Sequence, residues 1–415
     1  MILPKKMSAV SAAKCRAKLE LNLPTDSEDI LNCGNVQCFQ GGLRSAYAFE
    51  VQKYFSYFKA LKILGQMGVW EYIAAEEALY GVQFEMPSTV IRENFSVVSG
   101  CFYQDRFIYS SPNVGTYSVY LWKGNKIYDV GFVSMATCSD RLFGLTDNNY
   151  LYVAPVGQMD FTESFRITPH TKLTSIVAIG KKLYALGDTC YALEPYHADD
   201  VDVVFRAISH GAGIVQTDTE VNFENKVVFA TDCGLRLLQS DRVTPIFNSL
   251  NDYVSFTGSV GCAYKGKYFI SCKRLDGTLE QNDITLVLDV DGEKVVGVIN
   301  QGFEHMRSLG DKFYAVQNGS LLKMVETPQP VYWQKTVDFG NSYVKYLSTL
   351  IIGSRQDVNV IIQSNNEKRV YRVKGKRTLQ RIPLAGSGRV FTVTIQAQNG
   401  MHVDYVELTA RRYEV

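Results

Sequence analysis

A run of positive charge near the end of the chain is the densest group of side chains that could do chemistry. Seven basic residues fall within fourteen positions and no acidic residue interrupts them: Lys368, Arg369, Arg372, Lys374, Lys376, Arg377 and Arg381. Because side chains alternate between the faces of a strand, alternate members would form a positive stripe able to bind phosphate or an acidic partner. Lysines also protect exposed strand edges from pairing, so edge protection stays open as the simpler explanation.

The spacing of the histidine and cysteine residues predicts no metal site. The five histidines are far apart, and none has a second His or a carboxylate at metal-ligand spacing: His170, His197, His210, His305 and His402. We expect loop or structural roles for them. The nine cysteines, at positions 15, 33, 38, 101, 138, 190, 233, 262 and 272, include no Cys-x-x-Cys pair. This pattern is typical of small buried hydrophobic residues in a reducing cytoplasm, and we predict neither disulfides nor zinc.

Two acidic runs contain possible calcium ligands. The run from Asp199 to Asp202 could also supply paired carboxylates to a glycosidase, although a solvated loop between strands is favoured. The run from Asp289 to Glu293 lacks the further ligands of a calcium loop. Its Asp-Gly pair between two apolar runs instead predicts a hairpin with a type I′ turn.

Familiar catalytic motifs are absent from the sequence. It contains no Gly-x-Ser-x-Gly, no phosphate-binding Gly-Lys-Ser loop and no Gly-x-Gly-x-x-Gly after a strand. We therefore predict a protein that is not an enzyme and that needs no cofactor. The 43 basic and 42 acidic residues give a net charge of +1, which argues against a nucleic-acid binder whose whole surface is basic.

A hairpin signal recurs along the chain and indicates how these residues are positioned. Each copy has a polar turn, an apolar or aromatic pair and then a second short strand. The seven copies start near Gly68, Asp105, Asp140, Lys181, Asn225, Gly266 and Asp311, and six carry Lys or Arg after the turn. The steps between copies are 37, 35, 41, 44, 41 and 45 residues, which suits one four-stranded propeller blade per copy.

The repeat predicts an all-β protein with a seven-bladed β-propeller. Six or eight blades stay open because the first copy is the weakest, and a pair of β-sandwiches is the alternative fold. A closed ring needs a strand to complete its last blade, near Phe313 to Met324, and we expect that strand to come from upstream of Val69.

The domain organisation follows from where the repeat begins and ends. Residues 1–45 lack the repeat and are predicted to be an N-terminal arm that packs on a neighbour or on the propeller, and a disordered tail stays open as the alternative. Residues 46–326 form the propeller, because the two prolines of the segment from Thr327 to Pro330 cannot feed a sheet ladder. Residues 327–415 alternate as strands of a small β-sandwich, in which Asn399-Gly400 predicts a two-residue hairpin.

No run of residues approaches the length of a membrane helix, and no apolar core of signal-peptide length follows Met1. We therefore expect a soluble protein without an export signal or a membrane partner.

Two stretches resemble structural proteins of tailed bacteriophages. The segment Asn35–Ser45 is similar to the polar, Gly-rich segment before the first blade of tail tubular, nozzle and head–tail stabilisation proteins. The segment Val331–Gly340, with the strands that follow it to Arg411, is similar to the small β-domain that ends such proteins. The resemblance implies a non-enzymatic virion subunit of the tail or neck, assembled in the host cytoplasm.

That family further implies partners and a mechanical role. Copies would form a ring, for example a hexamer, around the DNA channel, would contact the portal, adaptor or other tail proteins, and would aid genome retention and delivery. The basic run would face a neighbouring subunit or packaged DNA.

Two other functions stay open at the level of sequence. A receptor- or glycan-binding propeller would stack sugars on exposed aromatic residues such as Trp70, Trp122 and Tyr196. A propeller glycosidase would need two or three carboxylates that converge at the mouth of the central channel. Aromatic pockets, channel acids or broad lateral surfaces would tell these functions apart.

Overall fold

The computed structural model divides the chain into two compact units. It describes residues 12–24, 27–52, 60–67, 69–75, 78–83, 89–92, 98–112, 114–120, 123–166, 172–195, 203–223, 225–275, 280–327, 329–339, 343–364 and 367–413. Unit 1 comprises Met1–Ala48, Val295–Asn300 and Glu326–Val415, and unit 2 comprises Phe49–Lys294 and Gln301–Val325. In the described residues both units consist of antiparallel strands, with two short 3-10 helices at Glu28–Asn32 and Asn248–Asp252.

The strands of the first half of the chain are short, and most follow one another in hairpins. They are β1 Ala12–Lys18, β2 Val36–Phe39, β3 Gly42–Ser45, β4 Ala48–Val51, β5 Ala60–Met67, β6 Trp70–Ala75, β7 Ala78–Gln83, β8 Thr89–Arg92, β9 Ser99–Tyr103, β10 Arg106–Ser111, β11 Gly115–Tyr120, β12 Lys123–Tyr128, β13 Ser134–Cys138, β14 Arg141–Leu145, β15 Tyr150–Val153, β16 Glu163–Arg166, β17 Leu173–Ile179, β18 Lys182–Gly187, β19 Cys190–Pro195 and β20 Val203–Ser209.

The second half of the chain continues the hairpins and then changes to longer strands. They are β21 Val221–Phe223, β22 Lys226–Thr231, β23 Gly234–Gln239, β24 Arg242–Ile246, β25 Val254–Tyr264, β26 Lys267–Arg274, β27 Ile284–Asp289, β28 Lys294–Ile299, β29 His305–Leu309, β30 Lys312–Gln317, β31 Ser320–Val325, β32 Val331–Asp338, β33 Lys345–Ser354, β34 Val358–Ser364, β35 Glu367–Val373, β36 Gln380–Pro383, β37 Ser387–Gly388, β38 Val390–Ala397 and β39 His402–Tyr413.

Unit 2 is a ring of small sheets. Successive groups of four strands, β5–β8, β9–β12, β13–β16, β17–β20 and β21–β24, each form one antiparallel sheet, and β25–β27 pair in the same way. The first strands of the sheets, β5, β9, β13, β17, β21, β25 and β29, contact one another in that order, and β29 contacts β5. We call them the inner strands. Their closed cycle of contacts makes unit 2 a β-propeller.

A strand from before the repeat completes the last sheet, as predicted. The order of that sheet is β29-β30-β31-β4, so β4 covers an edge that the later strands leave open. Phe49 of β4 anchors the strand, because its ring lies 4.6 Å from the ring of Phe303 and 5.8 Å from that of Phe313. The two ends of the repeat region are thereby joined by backbone pairing.

All seven predicted hairpins are present, and the basic residue that follows the turn has a structural role in several of them. Lys182 reaches Asp241 of the next sheet at 2.9 Å, and Lys226 reaches Asp291. Lys312 of the last sheet reaches Glu71 of the first at 2.9 Å, and Glu71 is only 3% exposed. The recurring cation thus links neighbouring sheets, and one such pair lies at the seam of the ring.

Apolar and aromatic side chains fill the spaces between neighbouring sheets. The ring of Tyr72 stacks on the ring of Phe107 from the next sheet, with centroids 4.6 Å apart, and both side chains are fully buried. A side chain on Gly144 would place its Cβ 2.6 Å from the buried ring of Phe132, so this close contact requires glycine.

Unit 1 contains two groups of antiparallel strands. In one, β39 pairs with β1, β3 and β33, and β33 also pairs with β36 and β37. The other is a sheet in the order β32-β38-β34-β35. Buried and accessible side chains alternate along β34 and β38, which is typical of strands with one face against a core.

The described N-terminal residues pair with strands of unit 1. Ala12–Lys18 pairs along Glu407–Tyr413 of β39, and this ladder satisfies backbone groups along one side of β39. The buried carboxylate of Asp29 accepts hydrogen bonds from Gln334 Nε2 at 2.9 Å and from the Thr336 backbone N–H at 2.7 Å. The described part of residues 12–48 therefore belongs to the same unit as the C-terminal strands.

Two turn predictions were wrong in detail. The segment at Asn399-Gly400 does not form a hairpin, because β38 and β39 lie in different sheets; Gly400 has φ 81° but donates its N–H to Gln329 O. The turn between β27 and β28 spans four residues, and Glu293, not Gly292, has the positive φ of 46°. In the first case bonds to distant segments redirect the chain, and in the second the longer connection removes the need for a type I′ turn.

Candidate functional site

The predicted basic run extends across edge strands of both sheets of unit 1. Lys368, Arg369 and Arg372 lie on β35, the last strand of its sheet, and Arg381 lies on β36, which pairs with β33 of the other sheet. Lys374, Lys376 and Arg377 lie in the connection between them. The expected alternation therefore applies only within β35, where Lys368 and Arg372 share a face.

All seven cations are exposed, and most have no acidic partner. Glu367 accepts a hydrogen bond from Arg369 Nε at 2.7 Å, and it is the one carboxylate paired with the set in the described part of the chain. The connection itself is held in place: the Lys376 N–H donates to Ser354 O at 2.8 Å and the Gly375 N–H donates to Asp357 Oδ1 at 2.7 Å. The cations are thus presented on an anchored backbone.

Large apolar side chains are exposed beside these cations. Val370 is 56% exposed between Lys368 and Arg372, and Leu379 is 60% exposed just before β36. A stretch that only protected a strand edge from pairing would gain nothing from them. Mixed apolar and basic surfaces are more typical of protein interfaces, where Arg is enriched.

A second group of charged side chains, which the sequence does not predict as a site, lines the centre of unit 2. A cavity of about 670 Å³ lies among the inner strands, and each of these strands contributes lining residues. Asp147, Lys172 and Cys262 line this cavity. Five further titratable side chains from three of the sheets meet there: Lys62, Asp218, Glu220, His305 and Arg307. We call them the cavity cluster.

Asp218 is held in a rigid turn and is paired across the cavity. Its backbone has φ 63°, and its carbonyl accepts a hydrogen bond from the Gly261 N–H at 2.8 Å. Lys62 Nζ lies 2.6 Å from Asp218 Oδ2. Burial opposes ionisation of Asp218, but the charge of His305 once its ring is protonated in acid, together with the charge of Lys62, holds the pKa of Asp218 below its usual range. Asp218 is therefore a carboxylate, and its charge is matched by Lys62.

His305 is buried and neutral at physiological pH. Its Nδ1 accepts a hydrogen bond from the Ile63 backbone N–H at 3.3 Å, and its Nε2 lies 4.0 Å from Asp218 Oδ1. Burial lowers the pKa of His305 to about 4, since the nearby carboxylate of Asp218 only partly offsets the loss of solvent. The predicted structural role of His305 agrees with this backbone contact, although the cavity itself could not be predicted from the sequence.

Glu220 and Arg307 complete the cavity cluster. Glu220 Oε2 accepts a hydrogen bond from the Thr219 N–H at 3.0 Å, and burial, then the charge of Asp218, raises its pKa. Arg307 has no hydrogen-bond or ion-pair partner among the residues that the structure describes. Its accessible surface faces the cavity, where surrounding protein lowers the pKa of the guanidinium. Arg307 and Lys172 are therefore the two cavity-lining side-chain cations without a hydrogen-bond or ion-pair partner in the described part of the chain.

The alternative functions can be compared with these positions. No aromatic residue lines the cavity in the described part of the chain, and Trp70 is half-buried in the apolar core between two sheets. Trp122 and Tyr196 lie outside the described residues. Three carboxylates line the cavity, those of Asp147, Asp218 and Glu220, and Asp218 is already paired with Lys62.

The acidic runs do not form a site in the described residues. Asp199–Asp202 lies outside them. In the second run, Lys267 pairs with Asp289 at 3.0 Å, Lys226 pairs with Asp291, and Glu293 accepts a bond from the Phe247 N–H at 3.0 Å. No group of three or more His, Cys, Asp or Glu is placed to hold a metal ion in the described ranges, and no helix there is long and apolar enough to span a membrane.

Comparison with known proteins gives no family. No protein-family model and no curated protein sequence matches the chain. Solved structures that resemble it include the WD40 β-propeller domain of Doa1, with 10% identity, TM-score 0.47 and coverage of 69% of this chain and 97% of that one. The Neurospora crassa Pan2 WD40 domain has 9% identity, TM-score 0.47 and coverage of 66% and 93%.

BamB from Moraxella catarrhalis aligns with 8% identity, TM-score 0.45 and coverage of 76% of this chain and 99% of that one. None of these three proteins is described as a virion component. At TM-scores below 0.5 they carry no argument about function, and the propeller assignment rests on strand pairing and on the cycle of contacts between inner strands.

Proposed function

We propose that this protein is a structural, non-enzymatic subunit of a bacteriophage tail or neck, which assembles as a ring around the DNA channel. In this proposal unit 2 is a seven-bladed propeller that acts as a rigid body, and the C-terminal strands form a β-sandwich that makes the assembly contacts. The resemblance of Asn35–Ser45 and Val331–Gly340 to such proteins supports the choice of family.

The observation that carries the proposal is the exposed basic run of unit 1. Six of its seven cations have no acidic partner in the described residues, and exposed Val370 and Leu379 lie among them. Such a surface suits an acidic partner surface or phosphate groups, together with some apolar burial. The acidic surface would belong to a neighbouring copy, the portal, the adaptor or another tail protein. The phosphate groups would belong to packaged DNA.

The propeller suits a mechanical role because its ring of sheets is closed. β4 pairs with β31 and completes the last sheet, and Lys312 pairs with Glu71 of the first sheet, so the last sheet is both covered at its edge and linked to the first. A ring subunit that must keep its shape while DNA passes would benefit from this closure. The subunit would aid genome retention and delivery from the virion.

Removing charge from the basic run tests the proposal. We expect the quadruple variant Arg372→Ser, Lys374→Ser, Lys376→Ser and Arg377→Ser to melt like the parent protein, because all four side chains are exposed. Incorporation into particles or DNA delivery should fall, and remaining contacts should weaken with salt, since exposed charges are screened beyond about 10 Å at 0.1 M ionic strength.

A matched control removes the same charge from unit 2. Lys123, Lys181, Arg242 and Lys294 are exposed, and none has an acidic partner among the described residues. Their quadruple Ser variant should assemble normally. If the basic-run variant also assembles and delivers DNA normally, the run serves only as edge protection and the proposed assembly role is wrong.

A further inference from the structure

Arg307 is the cation of the cavity cluster that lacks a hydrogen-bond or ion-pair partner among the residues that the structure describes. Arg307 lies on inner strand β29. The next side chain on the same face is His305, whose Nδ1 already accepts a hydrogen bond from the Ile63 backbone N–H. The carboxylate of Asp218 is within electrostatic range of Arg307 but is taken by Lys62 at 2.6 Å. The planar guanidinium has five N–H donors in a fixed fork and is suited to bidentate contact with an oxyanion.

The groups around Arg307 are compatible with an anionic ligand in their charge and in their hydrogen-bonding capacity. Burial, and then the charge of Asp218, raises the pKa of Glu220, so its carboxyl group is protonated more readily than an exposed one. The neutral ring of His305 adds no positive charge that would compete with Arg307. Ser134 and Asn222, from two further inner strands, also line this space. The Ser134 oxygen accepts a hydrogen bond from the Ile176 N–H at 3.0 Å, so its O–H remains as a donor, and Asn222 Nδ2 donates to Ala178 O, so its amide oxygen remains as an acceptor.

The cavity is also preorganised. The Asp218 turn, with its positive φ, is fixed by the Gly261 N–H and by the Tyr268 hydroxyl, which donates to Thr219 O at 2.8 Å. Non-glycine residues with positive φ cost free energy and persist where the surrounding structure holds them, often at functional sites. A volume of about 670 Å³ lies within the range of small-molecule sites and holds a compact polar molecule.

We propose that the central cavity of unit 2 binds a small oxyanion, a carboxylate or phosphate group on a compact polar molecule, through the Arg307 guanidinium. The Asp218–Lys62 pair positions the wall of the site, and the hydroxyl and amide side chains of the other inner strands contact the polar remainder of the ligand. This inference concerns unit 2 alone and does not depend on the virion role of unit 1.

Calorimetric titration with inorganic phosphate and with citrate, at ionic strength held constant with sodium chloride, tests this site. We expect saturable binding of one or both probes to the full chain and at least about tenfold weaker binding to Arg307→Gln. The variant Arg242→Gln, which removes an exposed cation of the same unit, should bind like the parent. The quadruple Ser variant of the basic run should also keep the binding, which separates this site from that surface.

Arg307→Lys keeps the positive charge and serves as a second test if Arg307→Gln does not fold. We expect the Lys variant to bind several-fold more weakly, because an ammonium group cannot make the bidentate contact. Binding of phosphate alone or of citrate alone would support the site and identify the preferred group. Absence of saturable binding of both probes to the parent chain, or equal affinity in the parent and both Arg307 variants, would overturn the proposal.

Discussion

The two charged regions of this molecule differ in how their residues come together. The basic run of unit 1 is continuous in sequence, exposed and spread over edge strands of two sheets. The cavity cluster of unit 2 collects Lys62, Asp218 and His305 from distant parts of the chain and encloses them. Charges on the first surface are solvated and screened, so they can serve association at little cost to folding, whereas enclosed charges are coupled to the stability of the ring.

Removing the lysine of an ion pair should destabilise the protein far more when its carboxylate partner is buried than when that partner is exposed. Lys312→Met leaves the carboxylate of Glu71, whose side chain is 4% exposed, with the Tyr314 hydroxyl at 3.3 Å as its remaining hydrogen-bond partner in the described part of the chain. We expect a loss of about 3 kcal/mol in the free energy of unfolding. Lys226→Met is the control, because its partner Asp291 has an 85% exposed side chain, and it should lose about 0–1 kcal/mol.

Denaturant unfolding of both variants measures this contrast. Equal small losses would mean that the Lys312–Glu71 pair does not stabilise the seam, and the comparison between enclosed and exposed charge would then be wrong for this pair.

The pH dependence of stability should come next in size. Because the folded-state pKa of His305 is about 4 and its ordinary value is 6.5, the unfolded chain binds the proton first as the pH falls. His305 therefore contributes stability above pH 6.5 that is lost progressively down to about pH 4, by roughly 3 kcal/mol at most. The contribution of Asp218 to stability is lost at lower pH than that of His305, because it disappears only as the pH falls below the ordinary pKa range of a carboxyl group.

Unfolding of His305→Gln between pH 7 and pH 4 tests this dependence. The variant should show a flatter stability profile than the parent across this range, whatever its stability at pH 7. The exposed residue His210 supplies the control, and His210→Gln should keep the slope of the parent. An unchanged slope in His305→Gln would show that burial of the imidazole does not set the acid sensitivity.

A smaller effect should follow from crowding the core between sheets. Gly144→Ala places a Cβ 2.6 Å from the ring of Phe132, which is fully buried and cannot move easily. We expect a loss of about 1–3 kcal/mol in unfolding free energy, measured by thermal or urea unfolding. At Gly292 the nearest atom would lie 3.3 Å away, so Gly292→Ala should be nearly neutral. A neutral Gly144→Ala would mean that the sheets of unit 2 are less tightly packed than described.

Local patterns in the sequence predicted the local structure well. The hairpins beginning at Arg106 or Lys226 were visible because a turn and two apolar strands lie within about fifteen residues, and sheet-edge reasoning also anticipated β4 at the seam. Where long-range bonds decide the path, the sequence was insufficient: Asn399-Gly400 has the composition of a hairpin, yet the strands on either side join different sheets.

The cavity cluster could not be predicted for the same physical reason. Lys62 and Asp218 meet only because ring closure brings sheets from distant parts of the chain around one space, and neither residue belongs to a recognisable motif. The basic run was visible because it is contiguous. Its division between β35 and β36 depends on which sheet each strand joins, and a charge pattern does not contain that information.

Electron microscopy of the purified full chain, alone and within phage particles, tests the proposed function most directly. The proposal predicts rings of this protein around the DNA channel of the tail or neck, with unit 1 at the contacts between neighbouring subunits and the propeller as a rigid body. A chain that is absent from particles, or that sits in them as separate copies with the basic run facing solvent, would contradict it.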